Sequence, residues 1–413
     1  MKIDFRSLDQ LLPPDHEART VWDYVDKLDL APLLTRIKAV EGGPGQPAID
    51  PRILLGLWLF ATIDGVGSAR ELDRLTRQHI AYQWLCGAVS VNHHTLADFR
   101  STNEEFLNGL LTQSVATLLE QGLVELKEVA QDGLRVRANA GAKSFRRQAS
   151  LEDCLAKAEQ QVEALRTQRD EDDGAVSRRQ QAARQRAARE RQERIAEALK
   201  QRQELADRQD EVVKEKGAKQ KEPRASTTDP EARTMKMPDG GFRPGFNVEF
   251  ATDTQSGIVV GVDVVNVGSD SGQLLPMVEQ IEERFEKTPP RVLADGDFAK
   301  LDDIETLHGE HEVEVYAPIK NAEKEKGNDP YQPKPKDGPG VAAWRARMGT
   351  QDAKTIYKRR SSTAEWVNAR VRTFGLRQVL VRGLEKVRAT ALLHALAHNL
   401  MQTALLRRRR AAA

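Results

Sequence analysis

The sequence predicts an α/β unit preceded by an all-α region and interrupted by an inserted helical hairpin. Three observations carry this. Up to about residue 125 the apolar residues fall at helical spacing behind recognisable caps. Between 226 and 320, β-branched runs flank a single helical stripe. From 150 to about 220, apolar positions recur every three or four residues through Arg, Gln, Glu and Lys. The chain has 413 residues, more than one ordinary domain. Its 39% hydrophobic and 30% charged content means that a solvated segment dilutes one or more normal cores.

In the first region, Asp50-Pro51 is a helix start, with Asp50 as N-cap and Pro51 at the first helical position. Ser68-Ala-Arg-Glu71 matches a capping box, and a third start lies at Asn92. Several short helices joined by Gly turns suit a helix-turn-helix class of domain over residues 1–125. Residues 126–138 change to strand period, with Asp132 inside the run EVAQDGLRV.

The stripe Leu151, Leu155, Ala158, Val162 and Leu165 resumes through Ile195, Leu199, Leu205 and Val212. Two antiparallel helices forming a coiled-coil hairpin over 150–222, with the turn near Gly174, is the natural reading. The arginines from Arg178 to Arg194 fit a solvated helix face. Beyond it, 247–253 and 257–267 are strands paired through a turn at 254–257, followed by a helix over 271–285. RVLADGDF (291–298) is a strand ending at Asp295, Asp302 and Asp303 open a short helix, and 311–319 is a further strand. Residues 321–343, rich in Pro, Gly and Lys, read as a loop. Helices are expected over 362–372 and 385–406, ahead of a basic tail, 407–413. The α/β unit is thus split, 126–149 and 223–406, around the insertion.

The two cysteines, Cys86 and Cys154, lie far apart and form no CxxC pair, so neither a structural zinc site nor a disulfide framework is expected. The first ten residues lack the apolar core of a secretory leader, and the longest apolar run, Ile53 to Ile63, is too short to cross a bilayer. A cytoplasmic protein is expected. The formal net charge of +1 neither favours nor excludes nucleic acid. His93-His94 has no partner spaced for zinc, and GAKS (141–144) lacks the glycines and Gly-Lys pair of a phosphate loop.

Three acids stand out by position: Asp132 in the first strand, Asp295 at a later strand end, and Glu365 on a distant helix. That order suits a ribonuclease-H-like mixed sheet, which converges its carboxylates from separate elements. Phosphodiester chemistry needs such anionic oxygen ligands to clamp Mg²⁺. Bland readings stand beside it. A strand-end Asp is commonly a turn former, and Ser362-Thr-Ala-Glu365 is itself a capping box. Asp263 and Asp297 are rival acids. Spacing alone leaves these alternatives open.

The segment YKRRSSTAEWVNARVR (357–372) resembles the signature of the DDE transposases of bacterial insertion sequences, in which Tyr, Arg, a catalytic Glu and a basic residue follow one another. Tyr357, Arg360 and Glu365 match the first three, and Arg372 stands where Lys is usual. The Arg-to-Glu gap is one residue longer than in the commonest form, and Asp297 replaces a customary Gly. STTDPEARTMKMPDGGFRPGFNVEFATD, GVDVVNVGSDSGQL and LADGDFAKLDDIE resemble the catalytic core of one group of that family. VRGLEKVRATALLHALAHNL resembles its last helix, and SARELDRLTRQHIAYQWLCG with NHHTLADFR resembles its N-terminal domain.

The resemblance implies that Asp132, Asp295 and Glu365 are catalytic and hold Mg²⁺, with Mn²⁺ as a substitute. It implies that Tyr357, Arg360 and Arg372 contact DNA phosphates at the cleavage point, a role for which a planar guanidinium is suited. It further implies Mg-dependent cutting and strand transfer on double-stranded DNA, the terminal inverted repeats and a target, by a homodimer at the bacterial nucleoid. In the N-terminal domain Arg70, Arg74, Arg77 and Arg100 are candidate DNA contacts, weighed against a solvated helix face. Two rivals stand beside it: a metal-dependent nuclease, which would use the same carboxylates without strand transfer, and an inactive DNA-binding relic built on the helical domain and coiled coil with a degenerate active site.

Overall fold

The computed structural model describes residues 6–37, 48–87, 89–169, 175–216, 222–320 and 329–412. The expected helix starts form as the cap chemistry requires. Asp50 accepts from the Arg52 backbone N–H at the head of the Pro51–Ile63 helix, whose apolar run is buried from Leu54 to Thr62. Ser68 caps Ala69–Gln78 and Asn92 caps His93–Thr102. Only half of the expected capping box is made at Ser68, because the Glu71 carboxylate turns instead to Arg74.

Among the described residues eight strands follow: β1 (Val129–Arg137), β2 (Phe145–Arg146), β3 (Ala225–Ser226), β4 (Arg233–Lys236), β5 (Phe242–Asp253), β6 (Val259–Val265), β7 (Arg291–Leu293) and β8 (Glu314–Tyr316). The 12-residue β5 lies along the whole of β1 in antiparallel register, Asp132 opposite Phe250 and Gly133 opposite Glu249. Strands β4 and β6 share the other edge of β5, both antiparallel. On its far side β1 pairs parallel with β7, and β7 parallel with β8. The sheet is therefore mixed, with β1 at the seam between its antiparallel and parallel halves.

Two strand expectations shorten. β7 stops at Leu293, and Asp295 lies two residues beyond, where the chain turns into a 3₁₀ segment, Gly296–Phe298. β8 keeps only Glu314–Tyr316 of the nine residues expected, since pairing with β7 extends no further. Two helices that the sequence reading left out, Pro339–Met348 and Gln351–Tyr357, follow the Pro-rich stretch, the first starting inside the segment read as loop. Residues 321–328 of that stretch lie outside those described.

The insertion consists of two long helices, Gln148–Arg169 and Ala175–Lys216. Gln185 donates to the Leu165 carbonyl and Arg191 to Gln161, so the helices run antiparallel. The expected turn at Gly174 lies outside the described residues. At its root the pair closes on a small cluster of Leu151, Ala198 and Ala225.

One continuous core joins the N-terminal helices to the sheet. Trp58, Tyr82 and Leu107 belong to the same buried cluster as Val248 and Phe250 of β5 and Leu392 of the closing helix, Leu384–Ala412. That helix continues through Arg407–Arg410, so the basic tail is helical rather than a separate extension. A second cluster, around Leu293, Phe298, Ile304 and Trp344, fills the far side of the parallel half. Among the described residues no helix is long and apolar enough to cross a membrane.

Candidate active site

Side chains of β1 alternate between two faces, and Asp132 shares its face with Ala130, Leu134 and Val136. The elements over that face are a single π turn, Ser361–Glu365, and the helix Trp366–Thr373 that continues it. The capping box weighed as the rival explanation of Glu365 does not form at Ser362. The Ser362 hydroxyl donates backwards to the Arg359 carbonyl, and the Glu365 carboxylate accepts from Arg360 instead.

Arg360 brings the three predicted acids together. Its Nη2 lies 2.9 Å from Asp132 Oδ1 and 3.8 Å from Asp295 Oδ2, and its Nη1 lies 3.2 Å from Glu365 Oε1. Asp132 is held at both oxygens, for Asn368 Nδ2 donates to Oδ2 at 2.9 Å and the Gly133 backbone N–H donates to Oδ1 at 3.1 Å. Asp295 and Glu365 keep more than half of their side-chain surface in solvent, at 57% and 55%.

Burial pushes the Asp132 carboxyl above its ordinary value, against the opposite pull of Arg360 and Asn368. Burial also works against the charge on Arg360, but Asp132, Asp295 and Glu365 together hold its pKa up. The Tyr357 phenol stands in the field of the same acids, and burial raises its pKa.

Other predicted residues are placed elsewhere. Asp297 points away, with Oδ1 2.8 Å from Lys320 Nζ. Asp263 pairs with Arg388, on the side of the sheet where β6 meets β5. Arg372 is half-buried on the Trp366–Thr373 helix. Arg74 and Arg77 are tied within their own helix to Glu71 and Asp73, whereas Arg70 is exposed.

Arg100 departs from the surface role considered for it. It is 6% exposed, stacks over Trp58 with its guanidinium carbon 4.3 Å from the ring centroid, and donates to the Gly67 carbonyl at 2.6 Å. A guanidinium so enclosed serves packing and presents no free donor face to DNA.

Sequence reasoning assigned no part to Asn368 or to Arg359. Arg359 forms a two-pronged pair with Glu128, at 2.8 and 2.6 Å, which pins the start of the π turn to the edge of β1. Its signal was its place beside Arg360. For Asn368 the signal was its place three residues after Glu365, on the same helical face.

On the opposite face of the sheet, next to Asp132 in sequence, lies a buried polar cluster. Asn247 Nδ2 donates to Glu249 Oε1 at 2.6 Å and to Asp270 Oδ1 at 2.7 Å, and Gln131 Nε2 donates to Glu249 Oε2 at 3.3 Å. Burial first, and the neighbouring Asp270 second, push Glu249 up to about 8.

Among the described residues, no group of three or more acids, histidines or cysteines is close enough to hold a metal ion as it stands. The donor chemistry nonetheless suits a hard divalent cation, since three carboxylates and no sulfur or imidazole converge on one positive group.

Residues 205–400 match the family model described as Transposase DDE domain, and residues 6–102 match one described as Transposase domain. The first match includes Asp295, Arg360 and Glu365, while Asp132 lies before it, on the other side of the insertion. No curated protein and no solved structure matches the chain.

Proposed function

The chain belongs to the DDE transposases of insertion sequences, and from that premise we propose that it binds the terminal inverted repeats of its element, cuts there and joins the freed ends to target DNA. The observation that carries this reading is the convergence of Asp132, Asp295 and Glu365 on one guanidinium, from β1, from the end of β7 and from the π turn. Isolated turn formers or cap residues would have no reason to meet.

In this reading Asp132, Asp295 and Glu365 hold Mg²⁺, with Mn²⁺ as substitute. A divalent ion supplies a Lewis acid at the phosphoryl oxygen and a water more readily deprotonated. The protein's own groups bind and orient. Tyr357, Arg360 and Arg372 contact the phosphates beside the scissile bond, and Asn368 keeps Asp132 at a fixed angle. Each half-reaction is an in-line displacement at phosphorus. Water first opens the phosphodiester and leaves a 3′-hydroxyl, and that hydroxyl then attacks a target phosphodiester as the target's own 3′-oxygen departs. Neither step needs a covalent enzyme intermediate.

The sheet order, antiparallel on one side of β1 and parallel on the other, supports a ribonuclease-H-like core. We assign this core to 126–149 and 223–406, DNA binding to the helices of 1–125 with Arg70, Arg74 and Arg77, and a coiled-coil role in holding two copies or DNA to 150–222. The basic segment 407–413 adds sequence-independent affinity. Two ends must be cut together, so the working form is a homodimer at the nucleoid.

The test is cleavage and strand transfer on the DNA ends that border the coding sequence, in Mg²⁺, for the wild type and for Asp132→Ala, Asp295→Ala and Glu365→Ala. Cutting and joining by the wild type, with variants that bind DNA but are inert, is the expected result. Nicking without joining would favour a nuclease. Full activity in Asp295→Ala, with loss in Asp263→Ala or Asp297→Ala, would overturn the choice of the second ligand.

A further inference from the structure

Arg360 occupies the place where a cation shared by the three acids would sit. Its guanidinium spans Asp132, Asp295 and Glu365 within 3.8 Å, and the side chain is only 9% exposed. Both oxygens of Asp132 are engaged, Oδ1 by Arg360 and Gly133 and Oδ2 by Asn368. A divalent ion on these carboxylates would stand within a few ångströms of a permanent positive charge, and like charges at that range in a half-buried site repel strongly. Metal and guanidinium therefore compete for the same carboxylates.

The seat also leaves Arg360 incompletely satisfied. Its Nε is buried and has no hydrogen-bond partner. A guanidinium is best matched by an oxyanion that takes two parallel N–H groups, as a phosphate does. Arg360 lies immediately before the π turn Ser361–Glu365, and such single-turn widenings loosen the backbone hydrogen-bond ladder. Its neighbour Arg359 is pinned to Glu128, so the side chain can leave the acids without the turn leaving the sheet.

We propose that Arg360 is the resident counter-ion of the acidic site and couples metal binding to DNA binding. A DNA phosphate draws the guanidinium off the carboxylates, and only then are they free to take a divalent ion. By linkage the coupling is reciprocal, so bound metal tightens DNA by the same factor. A site guarded in this way holds metal more weakly until the DNA that it must cut is in place. The inference rests on the reading of Asp132, Asp295 and Glu365 as metal ligands.

The experiment is Mn²⁺ binding to the full chain, followed by electron paramagnetic resonance, with and without a duplex carrying the sequence that borders the coding region. Without DNA, Arg360→Gln is expected to bind Mn²⁺ at least about tenfold more tightly than the wild type. Arg360→Lys, which keeps the charge, should stay close to the wild type. Adding DNA should tighten Mn²⁺ about tenfold in the wild type and leave Arg360→Gln unchanged. Adding Asp132→Asn to Arg360→Gln should abolish the gain.

Equal or weaker Mn²⁺ binding by a folded Arg360→Gln overturns the proposal while leaving the metal ligands intact. If that variant does not fold, the wild-type titration decides, and Mn²⁺ affinity that ignores DNA overturns it. Mn²⁺ binding that does not depend on Asp132 would bring down the ligand assignment itself, and this proposal with it.

Discussion

Asn368 Nδ2 donates to Asp132 Oδ2 at 2.9 Å, a contact between residues 236 apart in sequence that ties the helix after Glu365 to the central strand. Asn368 is 4% exposed, and its Oδ1 is buried without a hydrogen-bond partner. A residue that holds a ligand carboxylate in one orientation typically affects activity by about ten- to a hundredfold. Asn368→Ala should slow single-turnover cleavage by about that factor and leave the Kd for DNA unchanged. Asn368→Asp should be worse, because it sets a carboxylate against Asp132. Wild-type cleavage by Asn368→Ala would show that Asp132 needs no such support.

Gly133, next to Asp132, is a second point where stability and chemistry meet. A Cβ there would lie 2.9 Å from Asp270 Oδ1 and 3.0 Å from both Asn247 Oδ1 and Glu249 Oε1. Those atoms belong to a buried hydrogen-bonded cluster and cannot all retreat. Gly133→Ala should cost about 1–3 kcal/mol in urea unfolding and should lower cleavage by displacing Asp132. Gly109→Ala is the control, since its Cβ meets nothing within 4 Å on the exposed side of the Glu104–Glu120 helix. There the substitution should stabilise by about 1 kcal/mol. An unchanged unfolding midpoint in Gly133→Ala would refute the argument.

What the sequence made legible follows from how local each signal was. Asp50, Ser68 and Asn92 cap helices through atoms two or three residues away, so their starts could be read directly. β5 and β6 are joined by a short turn, and their β-branched runs on either side of it announced them. The length of β8 is set by β7, more than twenty residues before it, and the expected strand was accordingly too long. The three acids were read from order and resemblance, yet their meeting on Arg360 depends on pairings across more than 200 residues, as in the Arg360–Asp132 bond with a separation of 228. Arg100 misled for the same reason. On its own helix it resembles a surface arginine, and only Trp58 and Gly67, from other elements, make it interior.

Glu249 gives a pH dependence with a definite sign. Burial raises its pKa from 4.5 to about 8, so the folded chain keeps a proton that the unfolded chain has lost. Between those values the unfolded state binds fewer protons, and stability falls as pH rises. The cost is absent below about pH 4.5 and complete above about pH 8. Glu249→Gln keeps the shape and removes the titration. It should match the wild type near pH 5 and have a clearly higher Tm near pH 9, with the gap opening in between. A gap that is constant across this range would mean that Glu249 is not the titrating group.

Arg100 and Arg70 lie on adjacent helices, and their variants should separate packing from DNA contact. Arg100→Ala removes the donor to the Gly67 carbonyl and the cation over Trp58, and it opens a void at a residue only 6% exposed. A loss of about 2–4 kcal/mol is expected in chemical denaturation, with the DNA affinity of the folded fraction unchanged. Arg70 is exposed, and Arg70→Ala should alter stability by less than about 0.5 kcal/mol. If the N-terminal helices contact DNA phosphates through Arg70, that variant should weaken binding to all duplexes alike and reduce the slope of log affinity against log salt by about one. Should Arg100→Ala lower the salt slope while leaving stability intact, the buried placement of its guanidinium would be wrong. Should Arg70→Ala leave both untouched, the DNA-contacting face must lie elsewhere on the N-terminal helices.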